Sequence, residues 1–241
     1  HMRYLAWLAG SRAWLASERL SYSDLAAAAA ISVLDYLGEI DWNEWPQVKE
    51  WYQRIKSRPS FRALLAVPTD SSYAIACHLD DKAAVERMRR IRNIDEKHHL
   101  TLLCRDLSEV AQYARVDNRQ YRMLKAATPG PYTFILEATK EVPRRLLHPK
   151  KKTVGARIPD HVVALAILEE LGEPLVSSTL LLPGEEEPMT MGWEIKETLD
   201  HQLDAVVDSG EGSTEPTTVV DLSDGDPEIL RVGAGDPSRF E

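Results

Sequence analysis

The residue pattern changes character at Ala66/Val67, and no other feature of the chain constrains its fold as much. Ahead of that seam, apolar residues recur at helical spacing; beyond it, short apolar runs of strand length alternate with helical stretches. One segment cannot serve a period of 3.6 and a period of 2 together, so the two sides must build different kinds of structure. Ser57-Arg58-Pro59-Ser60-Phe61-Arg62 closes the helical side, and Pro68-Thr69-Asp70-Ser71-Ser72-Tyr73-Ala74 opens an α/β pattern with no linker between.

On the helical side, Ser21 stands three residues ahead of Asp24 and before the apolar run Leu25 to Leu37. This spacing predicts a capping box in which the Ser21 hydroxyl takes the Asp24 amide and the Asp24 carboxylate reaches back. Gly38 is the expected stop. A second helix is expected from Trp45 or Pro46 to Lys56, with Val48, Trp51, Tyr52 and Ile55 on one face and Pro59 ending it. Tryptophans 7, 14, 42, 45 and 51 read as core. Together these predict a small helical bundle.

Beyond the seam, strands are expected at 73–77, 100–104, 132–136, 153–158, 175–181, 205–207, 217–222 and 229–232. Helices are expected at 82–92, 108–113, 118–126, 160–171 and 193–201. That order predicts a twisted mixed sheet with flanking helices. His161 reads as a cap for the helix that begins near Asp160, and Arg157 and Arg231 as either ion-paired or ligand-facing.

The net charge of -9 is unevenly spread over the 241 residues. Residues 185–241 carry 3 Lys/Arg against 16 Asp/Glu, whereas residues 87–157 carry 17 against 7. The middle block suits a polyanion despite the acidic whole. No apolar run is long enough to span a bilayer, so no membrane partner is expected. His1-Met2 reads as a cloning scar without a signal sequence after it, which predicts a cytoplasmic location. Cys77 and Cys104 have no cysteine partner at metal-binding spacing and read as buried free thiols. His98-His99 lacks a third ligand, so no metal site is assigned.

Residues 3–66 resemble the carboxy-terminal helical domain of bacterial glutathione S-transferases, through Trp14-Leu15-Ala16, Leu20 to Ala26, and Val48 to Phe61. In that family a preceding thioredoxin-like domain holds most of the glutathione, so neither glutathione binding nor transferase activity is expected here. A scaffold or homodimer surface is the expected role of this incomplete helical segment.

Residues 67–241 resemble the YrdC/YciO family, on the motifs Pro68-Thr69-Asp70 with Tyr73, Thr128 to Phe134, Arg157 to His161, Pro174 to Thr179, and Thr217 to Asp221 with Arg231. Arg90-Ile91-Arg92, His98, Lys140 to Leu147 and Leu182-Pro183-Gly184 resemble the YciO branch in particular. The better-known branch makes threonylcarbamoyl-adenylate from threonine, bicarbonate and ATP. The resemblance implies a YrdC-like sheet, ATP with Mg²⁺, and L-threonine as small substrate. It places Thr69, Tyr73, Arg92, His98, Arg157, Ser177, Thr179 and Arg231 at the nucleotide and substrate site, with no catalytic residue assigned. Cations and hydroxyls of this kind suit phosphate and carboxylate oxygens.

Arg92 and His98 stand where the synthase branch generally has lysines, and Leu181 where it has an asparagine. These departures favour nucleotide binding over efficient synthesis. The family's positive face implies tRNA or double-stranded RNA as a partner, through Arg87, Arg89, Arg90, Lys140, Arg144, Arg145, Lys150, Lys151 and Lys152. The expected function is therefore YciO-like nucleotide and RNA binding in tRNA threonylcarbamoyladenosine metabolism. Residual synthase activity and a noncatalytic scaffold are the alternatives. The family's usual first helix and part of its first strand are missing at the seam. Either Ala63 to Val67 becomes that strand or the sheet lacks part of an edge, a pattern expected of a chimera, recombined or engineered, with a natural fusion as the other reading.

Overall fold

The computed structural model describes residues 2–16, 21–36, 39–56 and 63–240. They divide into two compact units, His1–Arg62 and Ala63–Glu241. The expected stops at Gly38 and Pro59 lie outside the described residues.

The helical unit consists of α1 (Met2–Ser11), α2 (Tyr22–Tyr36) and α3 (Pro46–Lys56). Its core gathers Trp14, Leu15, Ala28, Ile31, Val48, Trp51, Tyr52 and Ile55. The face expected for α3 is thus the buried one. Helix α1 has no counterpart in the sequence reading, and Trp7 is not core: it is 60% exposed and stacks on Tyr4.

The cap of α2 also differs from the expected box. The Asp24 amide donates to the Ser21 carbonyl, and the Ser21 hydroxyl donates to Asp24 Oδ2 at 2.7 Å. Oδ2 further accepts from the Ser21 amide at 3.0 Å, while Oδ1 accepts from Leu15 N at 2.7 Å and Trp51 Nε1 at 3.1 Å. One fully buried carboxylate therefore ties the start of α2 to the chain after α1 and to α3.

The second unit holds one nine-stranded sheet in the order β7-β1-β2-β6-β3-β5-β4-β8-β9. The strands are β1 (Leu65–Val67), β2 (Ala74–His78), β3 (Thr101–Leu103), β4 (Tyr132–Glu137), β5 (Thr153–Arg157), β6 (Leu175–Thr179), β7 (Ala205–Val206), β8 (Thr218–Asp221) and β9 (Glu228–Arg231). The helices are α4 (Lys82–Arg92), α5 (Leu107–Tyr113), α6 (Asn118–Ala127), α7 (Val162–Leu171) and α8 (Gly192–Leu199). Aspartates at 81, 106 and 117 accept amide bonds at the starts of α4, α5 and α6. His161 occupies the cap position of α7 without a side-chain capping bond, and its Nδ1 is buried without a partner.

At the seam, Leu65–Val67 is a strand of the sheet, antiparallel to β2 and parallel to β7. The compact unit begins at Ala63, ahead of the expected Ala66/Val67 boundary.

Side chains on a strand must alternate between its two faces, and the two faces here differ sharply in chemistry. Ile75, Cys77, Leu102, Phe134, Leu136, Val154, Ala156, Val176 and Val220 join the main core. The opposite face carries Leu103, Leu175 and Ala76, packed with Ala164 and Leu168 of α7. Toward a cavity on that face its members are mostly small or polar, Thr101, Gly155, Ser177, Thr179 and Thr133, with Ile135 and Arg157 beside them. Thr101 lies opposite both Gly155 and Ser177. A Cβ at Gly155 would sit 2.9 Å from Thr101 Oγ1, so these two strands approach closely only because position 155 is glycine. Both cysteines are free and buried, and burial first, then the charge of Asp81, pushes the Cys77 thiol up to about 12.

Burial alone would raise the Asp24 carboxyl, but the bonds from Leu15, Ser21 and Trp51 outweigh it and hold its pKa below the usual value. The stability it contributes is complete above the unfolded carboxyl pKa of ~3.9 and falls away as pH drops through the lower folded value. Replacing Asp24 by Ala is expected to destabilise the helical unit by about 3 kcal/mol near neutral pH, by urea unfolding followed by circular dichroism. The difference between mutant and wild type should shrink on acidification.

Candidate functional site

The polar face of the sheet floors a cavity of about 420 Å³. Ala74 of β2, Ser177, Ser178 and Thr179 of β6, Thr101 of β3, Arg157 of β5 and Thr133 and Ile135 of β4 line it from below. Arg92 enters from the end of α4, and Lys97, His98 and His99 from the segment after it. The far wall comes from Glu186, Pro188, Thr214, Pro216, Thr217, Leu230 and Arg231.

Three guanidinium groups reach this cavity, in different states. Arg157 is paired with Asp70, both almost fully buried. Burial lowers the Arg157 pKa and Asp70 partly offsets that. Arg157 Nε and Asp70 Oδ2 both remain buried without a partner. Arg92 and Arg231 have no carboxylate partner among the described residues. Arg92 Nε donates to Ser178 Oγ at 3.3 Å, and its Nη1 to the Leu181 carbonyl. Arg231 donates from Nε and Nη2 to the Thr217 carbonyl at 3.0 and 2.9 Å. Burial lowers the pKa of both, with no offsetting charge. A partly desolvated cation without a counter-charge is stabilised by any anion that enters.

His98 lies beside these cations. Partial burial, then the charges of Arg92 and Arg89, hold its pKa below the usual imidazole value, so it is neutral at pH 7. His99 stacks on His148 at 4.8 Å and meets Thr153 Oγ1 at 2.9 Å. Burial, and then His148, lower its pKa as well. Ser177 Oγ donates to the Thr101 carbonyl at 3.0 Å.

Of the eight residues expected at the nucleotide and substrate site, Arg92, His98, Arg157, Ser177, Thr179 and Arg231 line this one cavity. Thr69 and Tyr73 do not line it. Thr69 is buried beneath it, donating to the Ser72 carbonyl at 2.6 Å and accepting from Arg157 Nη2 at 3.3 Å. Tyr73 belongs to the main core, with its hydroxyl directed at residues 208–210. Thr101, Thr133, Glu186, Thr214 and Thr217 were not expected. For the strand threonines a signal existed, since Thr101 and Thr133 interrupt apolar runs at the parity opposite to Leu102 and Phe134.

The basic residues do not form one free patch. Arg87 pairs with Asp204, Arg89 donates to the Asp95 carbonyl, and Lys151 Nζ is 3.4 Å from Asp221 Oδ2. Arg145 donates to the Leu79 carbonyl at 2.7 Å, past the end of β2 remote from the cavity. Arg90, Lys140, Arg144, Lys150 and Lys152 are exposed, with no ion pair among the described residues. Of these, Lys150 and Lys152 flank His148 and Lys151 and so lie near the cavity wall at His99.

Residues 62–233, which hold this sheet and cavity, match the Sua5/YciO/YrdC family model, described as "Telomere recombination". The chain belongs to that family. It is 49% identical over 177 residues to the Escherichia coli K12 protein called "Uncharacterized protein YciO", covering 73% of this chain and 86% of that one. The crystal structure of E. coli YciO superposes with a TM-score of 0.73 at 46% identity, covering 78% and 94% of the two chains.

A mouse threonylcarbamoyl-AMP synthase is 31% identical over 168 residues, 67% of this chain and 59% of its own. P. abyssi Sua5 complexed with L-threonine superposes with a TM-score of 0.67 at 26% identity, covering 76% and 54%. The chain is thus a YciO-like relative of threonylcarbamoyl-AMP synthases. Residues 2–59 match the model for the glutathione S-transferase C-terminal domain. No helix among the described residues is long and apolar enough to cross a membrane.

Replacing Asp70 by Asn would leave the Arg157 guanidinium buried without its counter-charge. Equilibrium urea unfolding should show a loss of about 3 to 5 kcal/mol for the α/β unit, much more than for an exposed pair such as Arg119 with Asp226.

Proposed function

We propose that the protein binds a nucleotide and a small amino-acid substrate in this cavity and RNA beside it, acting in tRNA threonylcarbamoyladenosine metabolism. The observation that carries this reading is the pair Arg92 and Arg231, cations with no carboxylate partner among the described residues, which line one cavity together with Ser177, Thr179 and Thr217. The cavity is large enough for a nucleotide's phosphates and sugar. ATP would be held by the two guanidinium groups at its phosphate oxygens, with the Thr179 hydroxyl as a neutral donor. Mg²⁺ would travel with the phosphates, because Glu186 is the one carboxylate among the described lining residues. L-Threonine is the favoured small substrate by relation to the Sua5 protein crystallised with it.

Adenylate synthesis from threonine, bicarbonate and ATP is the second reading, favoured by the relation to the mouse synthase. Against efficient synthesis stands Leu181, whose backbone carbonyl rather than a side-chain amide meets Arg92. Mass spectrometry of the reaction mixture decides it: threonylcarbamoyl-adenylate supports synthesis, and its absence with folded protein removes that reading.

Calorimetric titration is expected to show ATP binding that weakens about 10- to 100-fold in Arg92→Ala or Arg231→Ala, the loss of one charge-assisted contact. No heat from millimolar ATP would overturn the cavity assignment. RNA binding through Lys150 and Lys152 should be salt-dependent, and each lysine replaced by alanine should lower the slope of log affinity against log salt by about 1. An affinity equal at low and high salt would count against this surface.

A further inference from the structure

We propose that Tyr73 is a positioning residue, fixing residues 208–217, the segment that brings Thr214, Pro216 and Thr217 to the cavity; the proposal rests on the reading of that cavity as a ligand site. Between Asp208 and Glu215 the chain has no apolar side chain to bury, and most of it is exposed. A segment like that keeps one conformation only if something else holds it. Tyr73 supplies the hold. Its ring is fully buried in the core, and its hydroxyl emerges beneath the segment.

A phenol has one proton to give, and the Gly210 carbonyl at 2.9 Å takes it; Asp208 Oδ1, at 3.4 Å, is too distant to compete. The Ser209 amide donates back to the same oxygen at 3.3 Å. Gly212 lies flat against the ring: a Cβ there would meet Tyr73 Cδ2 at 3.0 Å, and its amide donates to the Thr190 carbonyl at 2.8 Å. Just downstream, Thr214, Pro216 and Thr217 line the cavity, and the Thr217 carbonyl is the acceptor that aims Arg231. The phenol thus acts on a ligand only through the segment and the guanidinium it orients.

The test uses the full chain with Tyr73→Phe, which keeps the ring and removes the hydroxyl, and with Gly212→Ala, which crowds the ring from the other side. Hydrogen exchange read by mass spectrometry is expected to quicken about tenfold or more in peptides spanning 208–217 in both variants, with 74–78 and 175–179 unchanged. ATP affinity should fall severalfold at unaltered stoichiometry. Unchanged exchange at 208–217 in both variants would overturn the proposal, and so would an equal rise across 74–78, which would make Tyr73 a core residue only. If the wild-type chain takes up no ATP, the cavity assignment falls while the exchange comparison still decides what Tyr73 holds.

Discussion

The structure of the α/β unit depends on the rule that a strand has two faces and each residue must choose one. In β3, β4, β5 and β6 the choices agree from strand to strand. Leu102, Phe134, Val154, Ala156 and Val176 turn one way into the core, and Thr101, Thr133, Gly155, Arg157 and Ser177 turn the other. A slip of one residue would turn polar side chains such as Thr101, Thr133 or Ser177 into the core and apolar ones such as Leu102, Phe134 or Val176 into the cavity. The same alternation that stabilises the sheet therefore sets the chemistry of the site, and neither can be altered alone.

Charge follows a similar logic at longer range. The acidic carboxy-terminal block and the basic middle block look like separate surfaces in the sequence, yet they fold against each other: Asp204 meets Arg87, Asp221 meets Lys151, and Asp226 meets Arg119. Two of the cations assigned to RNA, Arg87 and Lys151, are thereby occupied. Of the three guanidinium groups at the cavity, the two left without an acid among the described residues, Arg92 and Arg231, have carbonyls and hydroxyls as neighbours. Their need for a counter-charge is the strongest electrostatic argument for a ligand.

Much of this architecture was legible in the sequence because periodicity is a local property. The strands and helices beyond the seam stand within a few residues of their expected bounds. Strand β1 was ambiguous because three residues, Leu65–Val67, show no period, and its place comes from partners far along the chain. Helix α1 went unread for want of a cap and a clear polar face. Six of the eight residues named by motif resemblance line one cavity, four of them on strands β5, β6 and β9 and two, Arg92 and His98, at and after the end of α4. Thr69 and Tyr73 stand outside the lining, because whether a motif side chain faces a cavity or lies beneath it is a matter of packing, which motif order does not carry.

The position of β1 bears on how the chain is made. Lying between β7 and β2, it is bonded on one side to residues encoded late, with Leu64 N donating to Asp204 Oδ2 at 2.7 Å and Val207 N to the Ala66 carbonyl at 2.9 Å. During synthesis, which proceeds from the amino terminus, the helical segment emerges whole long before residue 204 does. The first strand must wait, half-paired, through the making of nearly everything between. That closure, across 140 residues of chain, is the slow kind of contact, and it ties the first strand of the sheet to its seventh.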